Sequence, residues 1–152
     1  MSRIALLDVN LLVALFDADH VHHRPAHDWL AGGREEGWAT CPLTENGLVR
    51  ILSNPSYSGR RTTVQDAVDR LTAFRASGDH AFWPDAVSLC QEGLFVFPHV
   101  GGHRRLTDVY LLALAVQRDG RLVTFDRGIR PDAVTGAGPE HLIHLGRPEP
   151  LA

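Results

Sequence analysis

The chain contains no lysine; all 15 of its basic residues are arginine. Two designs that place an acid at a strand end, the phosphoacceptor receiver domains and the haloacid-dehalogenase-like phosphatases, rely on a lysine beside the phosphate and are therefore excluded. Codon avoidance in a GC-rich genome accounts for most of this bias, although the arginine fork also suits phosphate. Cysteine is scarce as well. Cys41 and Cys90 form neither a metal-binding spacing nor a disulfide framework and read as small buried side chains in a reducing cytoplasm. There is no P-loop, no Gly-x-Gly-x-x-Gly and no Gly-x-Ser-x-Gly. Long apolar runs are missing too: Val109 to Val116 is the longest and is far too short to span a bilayer. Asp8 breaks the apolar N-terminus too early for a signal-peptide core. A cytoplasmic protein without membrane association is expected.

At 152 residues the sequence has the length of one domain, enough to bury about 70% of its unfolded surface. A hydrophobic content of 44% places it among globular proteins, and a net charge of −3 does not advertise nucleic acid. The expected organisation is a single domain over 1–146 and a short tail over 147–152, with no repeat or linker.

Short apolar runs alternate with helical periodicity. Residues 4–7 read as a buried strand closed by Asp8, followed by a helix over 10–17 with Leu11, Leu12, Leu15 and Phe16 on one face. A helix over 22–31 carries Pro25 in its first turn and ends at Gly32-Gly33. Thr44 is expected to cap a helix that Asn54-Pro55 stops, and Thr62 with Gln65 has capping-box spacing for a helix to about Ser77. Leu94 to Phe97 reads as a strand. Thr107 should then cap a helix with Val109, Leu112, Ala113 and Val116 on one stripe, ended by Gly120. Leu122–Thr124 and Leu142–Leu145 read as the last strands. Alternating elements of this kind imply a parallel sheet covered by helices on both faces.

Four acids fall where strands hand over to helices or turns: Asp8, Glu45, Asp108 and Asp126. In an open α/β sheet that is where ligands bind. Carboxylates cannot crowd there unaided, because two unit charges at about 4 Å repel by roughly 4 kcal/mol at an effective dielectric of about 20. Either some are protonated or divalent cations sit among them, and oxygen-only ligation favours Mg²⁺ or Mn²⁺ over zinc. The reading is a metal-dependent phosphodiesterase. Asn10, Asn46 and Thr124 stand close in sequence to these acids, able to orient carboxylates or metal-bound water, or simply to form caps and turns. Arg104, Arg105, Arg127 and Arg130 flank Asp108 and Asp126, where they would rim the pocket and draw in a phosphate chain. His20, His22, His23 and His27 crowd one segment, but a zinc pattern His-x-His-x-Asp-His fails because Arg24 holds the aspartate position. A polar helix start is the better reading of that cluster.

The ordered stretches Leu7-Asp8-Val9-Asn10-Leu11-Leu12, Trp38 to Glu45, Thr107 to Ala115 and Leu122 to Gly128 resemble the PIN domain, and specifically the VapC-type toxins of type II toxin–antitoxin pairs. The resemblance covers nearly the whole chain. It implies a three-layer α/β/α fold and a Mg²⁺- or Mn²⁺-dependent endoribonuclease whose acidic quartet is Asp8, Glu45, Asp108 and Asp126. It also implies an RNA substrate, a cognate antitoxin and a homodimer. An antitoxin helix would dock on the first two helices, with Leu12, Phe16 and Trp29, and on the 62–77 helix, with Leu71 and Phe74. Val9 departs from the pattern, since many relatives carry threonine or serine there. The alternatives are a housekeeping PIN or 5′-nuclease-like enzyme and a catalytically silent binding scaffold. A degenerate scaffold should have lost an acid, and none is missing.

Overall fold

The computed structural model describes residues 3–57 and 61–146; the expected tail over 147–152 lies outside the described residues. Five short strands form one parallel sheet: β1 (Ala5–Leu7), β2 (Trp38–Thr40), β3 (His80–Phe82), β4 (Arg121–Thr124) and β5 (Leu142–His144), in the order β3-β2-β1-β4-β5. Side chains alternate between the faces. Leu6, Ala39 and Leu122 enter one core, while Ala5, Leu7, Trp38 and Val123 enter the other.

Helices α1 (Val9–Phe16), α2 (His23–Gly33), α3 (Pro42–Leu52) and α4 (Val64–Ala76) feed the second core, and α5 (Leu106–Gln117) feeds the first. This is the three-layer α/β/α arrangement. The expected single stripe on α5 understates its burial: Leu111, Leu114 and Ala115 are buried beside Val109, Leu112 and Ala113. The cause is a second covering, because Trp83, Val87, Phe95 and Val100 from the long 83–102 segment join the same core.

Three helix starts differ from expectation. Cys41, not Thr44, caps α3, with Pro42 pre-set at the first helical position; Thr44 Oγ1 instead accepts a bond from the Cys41 N–H at 2.9 Å. The α4 capping box is one residue later than Thr62–Gln65 and pairs Thr63 with Asp66. Thr107 lies inside α5, which continues directly from a tight turn over His103–Arg105.

Leu94–Phe97 is not a strand of the sheet. Leu94 and Phe95 join the core that α5 feeds while Phe97 is exposed, and the segment makes only an isolated antiparallel bridge, Phe95 to Val134, before Pro98 removes the next donor. The place at the sheet edge belongs to β3, which has no apolar run to announce it. Cys41 is buried in the first core as expected, whereas Cys90 is exposed because it falls in a surface turn. Among the described residues no helix is long and apolar enough to cross a membrane.

The chain runs outward from β1 to β2 and β3, then returns to β4 and β5 on the other side of β1. The strand order therefore reverses between β1 and β4, and a crevice opens at their carboxyl ends. Asp8 leaves β1 and Asp126 follows β4 at that place.

Candidate active site

Asp8 is the residue on which α1 begins. Its Oδ1 accepts from the Val9 N–H at 2.7 Å and its Oδ2 from the Thr124 hydroxyl at 2.7 Å, with only 4% of the residue exposed. Burial raises its pKa, the Thr124 and Val9 bonds work against that rise, and the Asp126 charge adds to it. Thr124 is fully engaged: its oxygen also accepts from Asn10 Nδ2 at 3.2 Å and from the Asp126 N–H at 3.0 Å. Asn10 Oδ1 in turn accepts from the Phe125 N–H at 3.2 Å. Asn10 and Thr124 thus lock the end of β4 against the start of α1.

Asp108 enters from the first turn of α5. Burial, followed by the charges of Asp8 and Asp126, lifts its pKa to about 7, with Arg105 opposing. Burial also disfavours the Asp126 anion, but the Gly128 N–H at 2.8 Å and the Arg105 guanidinium outweigh it and hold Asp126 below the ordinary value. Of the two acids, Asp108 is therefore the one that favours its protonated form and Asp126 the one that favours its anion. Arg105 Nη1 lies 2.6 Å from Asp126 Oδ2 and 3.9 Å from Asp108 Oδ2.

Glu45 occupies the first turn of α3, beside the end of β2, in a network of its own. Thr40 Oγ1 donates to Glu45 Oε2 at 2.6 Å, and Arg75 Nη1 lies 3.1 Å from the same oxygen. A hydroxyl has one proton to give, so the 2.8 Å contact between Thr40 Oγ1 and His80 Nε2 requires His80 to donate. Burial, reinforced by Arg75, lowers the His80 pKa, consistent with a neutral Nε2–H tautomer. The Arg75 guanidinium also lies 5.2 Å from the centre of the exposed Phe82 ring. His80, Arg75 and Thr40 are the site neighbours that sequence reasoning missed. Thr40, ending a strand five residues before Glu45, carried the one available signal.

The remaining expected residues scatter. Asn46 is exposed on α3, apart from the bonds around Asp8. Of the four arginines, Arg105 reaches the carboxylates of the cluster, whereas Arg104 is exposed, Arg127 donates to the Gly146 carbonyl at 2.6 Å and Arg130 pairs with Asp132 at 2.6 Å. The histidines have local work. His23 Nδ1 reaches the Ala14 carbonyl at 2.7 Å and His27 Nε2 the Leu15 carbonyl at 3.0 Å, serving acceptors that the end of α1 leaves open. His22 stacks on Phe125, with ring centres 4.5 Å apart.

The donor chemistry around Asp8 fits a hard divalent cation: every candidate ligand is a carboxylate oxygen, and Asp8 and Asp108 are buried acids with raised pKa values that a cation would offset. Among the described residues, however, no group of three or more His, Cys, Asp or Glu side chains is already assembled to hold an ion. Arg105 balances the charge instead.

The PIN domain family model matches residues 5–131, and the chain belongs to that family, in its VapC-type branch. It is 45% identical over 141 residues to Ribonuclease VapC44 of Mycobacterium tuberculosis (strain ATCC 25618 / H37Rv), covering 93% of this chain and 99% of the relative. It is also 46% identical over 132 residues to Ribonuclease VapC39 of the same strain, covering 87% of this chain and 95% of that one.

Proposed function

We propose that this chain is the toxin of a toxin–antitoxin pair, a Mg²⁺- or Mn²⁺-dependent endoribonuclease acting in the cytoplasm. The observation that carries the reading is the meeting of Asp8, Asp108 and Asp126 at the crevice between β1 and β4, in a chain whose relatives are named ribonucleases. Asp8, Asp108 and Asp126 would hold the cation, which when bound supplies an activated water and neutralises charge on the phosphate. Thr124 and Asn10 fix the Asp8 carboxylate from behind, so its position survives changes at the mouth of the site. Glu45, steadied by Thr40 and Arg75, would complete the ligand set or orient the attacking water. Residues 1–146 would form the one nuclease domain, working as a homodimer.

An uncontrolled nuclease would harm its host, so a protein partner belongs to the same proposal. Leu12 and Leu71 are core residues and offer such a partner nothing. Phe16 and Phe74 meet edge to face at 5.3 Å and, with Leu15, His27, Arg70 and Ala73, line a pocket of about 280 Å³ between α1, α2 and α4. An amphipathic antitoxin helix would seat an apolar side chain there.

Induction of the wild-type protein should arrest growth and create new RNA 5′ ends at defined sites, mapped by sequencing. Co-expression of the adjacent small gene should suppress both effects. Harmless over-expression, or new ends confined to precursor RNAs, would move the reading from toxin to maturation nuclease.

A further inference from the structure

Arg105 stands where helix electrostatics disfavours it. It is the N-cap residue of α5, at the positive end of the helix dipole, where its side chain makes no capping bond and only Asp108 in the first turn offsets its charge from within the helix. Its partners are instead the carboxylates of Asp126 and Asp108, three residues on. The guanidinium also lies in a prepared seat. A Cβ at Gly128 would fall 2.1 Å from Arg105 Nη2 and 2.2 Å from Cζ, so the guanidinium occupies the space that a side chain at residue 128 would take and would have to shift if one were there. On the other side, a Cβ at Gly101 would lie 3.5 Å from Arg105 Cγ.

We propose that Arg105 is a resident counter-ion, seated against Gly128, that neutralises Asp126 and Asp108 until a divalent cation displaces it. The proposal rests on the metal-dependent reading of the site and adds a competitor from within the chain. The guanidinium gives way to the metal, and any proton on the Asp108 carboxyl leaves to solvent as that oxygen becomes a ligand. The unassembled ligand set follows from it, since Asp126 is turned to the guanidinium. It also follows that Arg105 leaves the carboxylates in the loaded protein, freeing its fork at the rim of the crevice.

Manganese binding without RNA tests this. Mn²⁺ would be titrated calorimetrically into the wild type, Arg105→Gln, Gly128→Ala, Asp8→Asn and Arg118→Gln, the last an exposed arginine at the far end of α5. Arg105→Gln should bind Mn²⁺ about tenfold more tightly, the effect of one charge-assisted hydrogen bond lost from the competing state. Gly128→Ala should tighten binding in the same direction with no change of charge, and Arg118→Gln should leave it unchanged. Metal-free Arg105→Gln should melt below the wild type, and saturating Mn²⁺ should close that gap. Unchanged or weaker Mn²⁺ binding by Arg105→Gln, with the wild type binding normally, overturns the displacement and leaves the metal reading intact. Saturable binding by none of the proteins overturns both.

Discussion

At Asp108, burial and two neighbouring carboxylates act together, and the acid remains half protonated near pH 7 when no cation is present. The folded chain therefore holds a proton that the unfolded chain releases around the ordinary value of 3.8. Between those two pH values the native state binds more protons, so this residue's contribution to stability falls as pH rises and levels off above about 7. Asp8, also raised, adds to the slope; Asp126, lowered, opposes it only at acidic pH. Asp108→Asn should accordingly gain stability over the wild type between pH 5 and 8, on the order of 2 kcal/mol at the upper end. Urea titrations in EDTA at several pH values measure this, and parallel curves for the two proteins would refute it. Asp8, Asn10, Thr124 and Asp126 were legible in the sequence because each sits within three residues of a strand end. Arg105 was legible only as a loop arginine: nothing in the order of residues says that its fork turns into the acids, because the seat at Gly128 lies twenty-three residues away.

Among the elements, those with an apolar run declared themselves and β3 did not. His80-Ala81-Phe82 is an edge strand with no fully buried residue, so it offers neither alternation nor a run, and His80 went unplaced with it. Leu94–Phe97 had the apolar residues of a strand, but Leu94 and Phe95 go to the core under α5 and Phe97 to the surface. Helix starts slipped by one to three residues because Thr44, Thr62 and Thr107 all look like caps, while the chain used Cys41, Thr63 and Arg105. The joint between α5 and β4 is tighter than any sequence pattern suggests. A Cβ at Gly120 would lie 2.6 Å from the Ile4 carbonyl oxygen and 2.5 Å from Trp83 Cη2. Backbone cannot yield as a side chain does, and the Arg121 N–H bonds that same carbonyl at 3.0 Å. Gly120→Ala should cost about 2–3 kcal/mol, the scale of an overpacked core site. A denaturant midpoint equal to that of the wild type would show that the joint can open.

For the molecule as a whole, the alternation of strand and helix was enough to imply a parallel sheet with helices on both faces, and the sheet order then decides which ends meet. Because the order reverses between β1 and β4, acids 118 positions apart in the chain come to one crevice, Asp8 from one strand and Asp126 from the other. Glu45 arrives one strand further out, in a network with Thr40, His80 and Arg75 that no local pattern predicts. On the proposed reading, a net charge of −3 would leave RNA attraction to local arginines and to a cation in the site rather than to the field of the whole protein. The central claim is metal-dependent hydrolysis at Asp8, and its most direct test is the end chemistry of a purified cleavage reaction. A defined RNA incubated with the wild type and Mn²⁺ should give 5′-phosphate and 3′-hydroxyl ends, with cleavage abolished by excess EDTA. A 2′-deoxy substitution at the cut should leave the chemistry open, because an activated water needs no 2′-hydroxyl as nucleophile. Asp8→Asn should lose at least about a hundredfold in rate while keeping its fold, since its side-chain oxygen still accepts from Val9. Cleavage that persists in EDTA or in Asp8→Asn, or ends that carry 2′,3′-cyclic phosphate, would contradict the account.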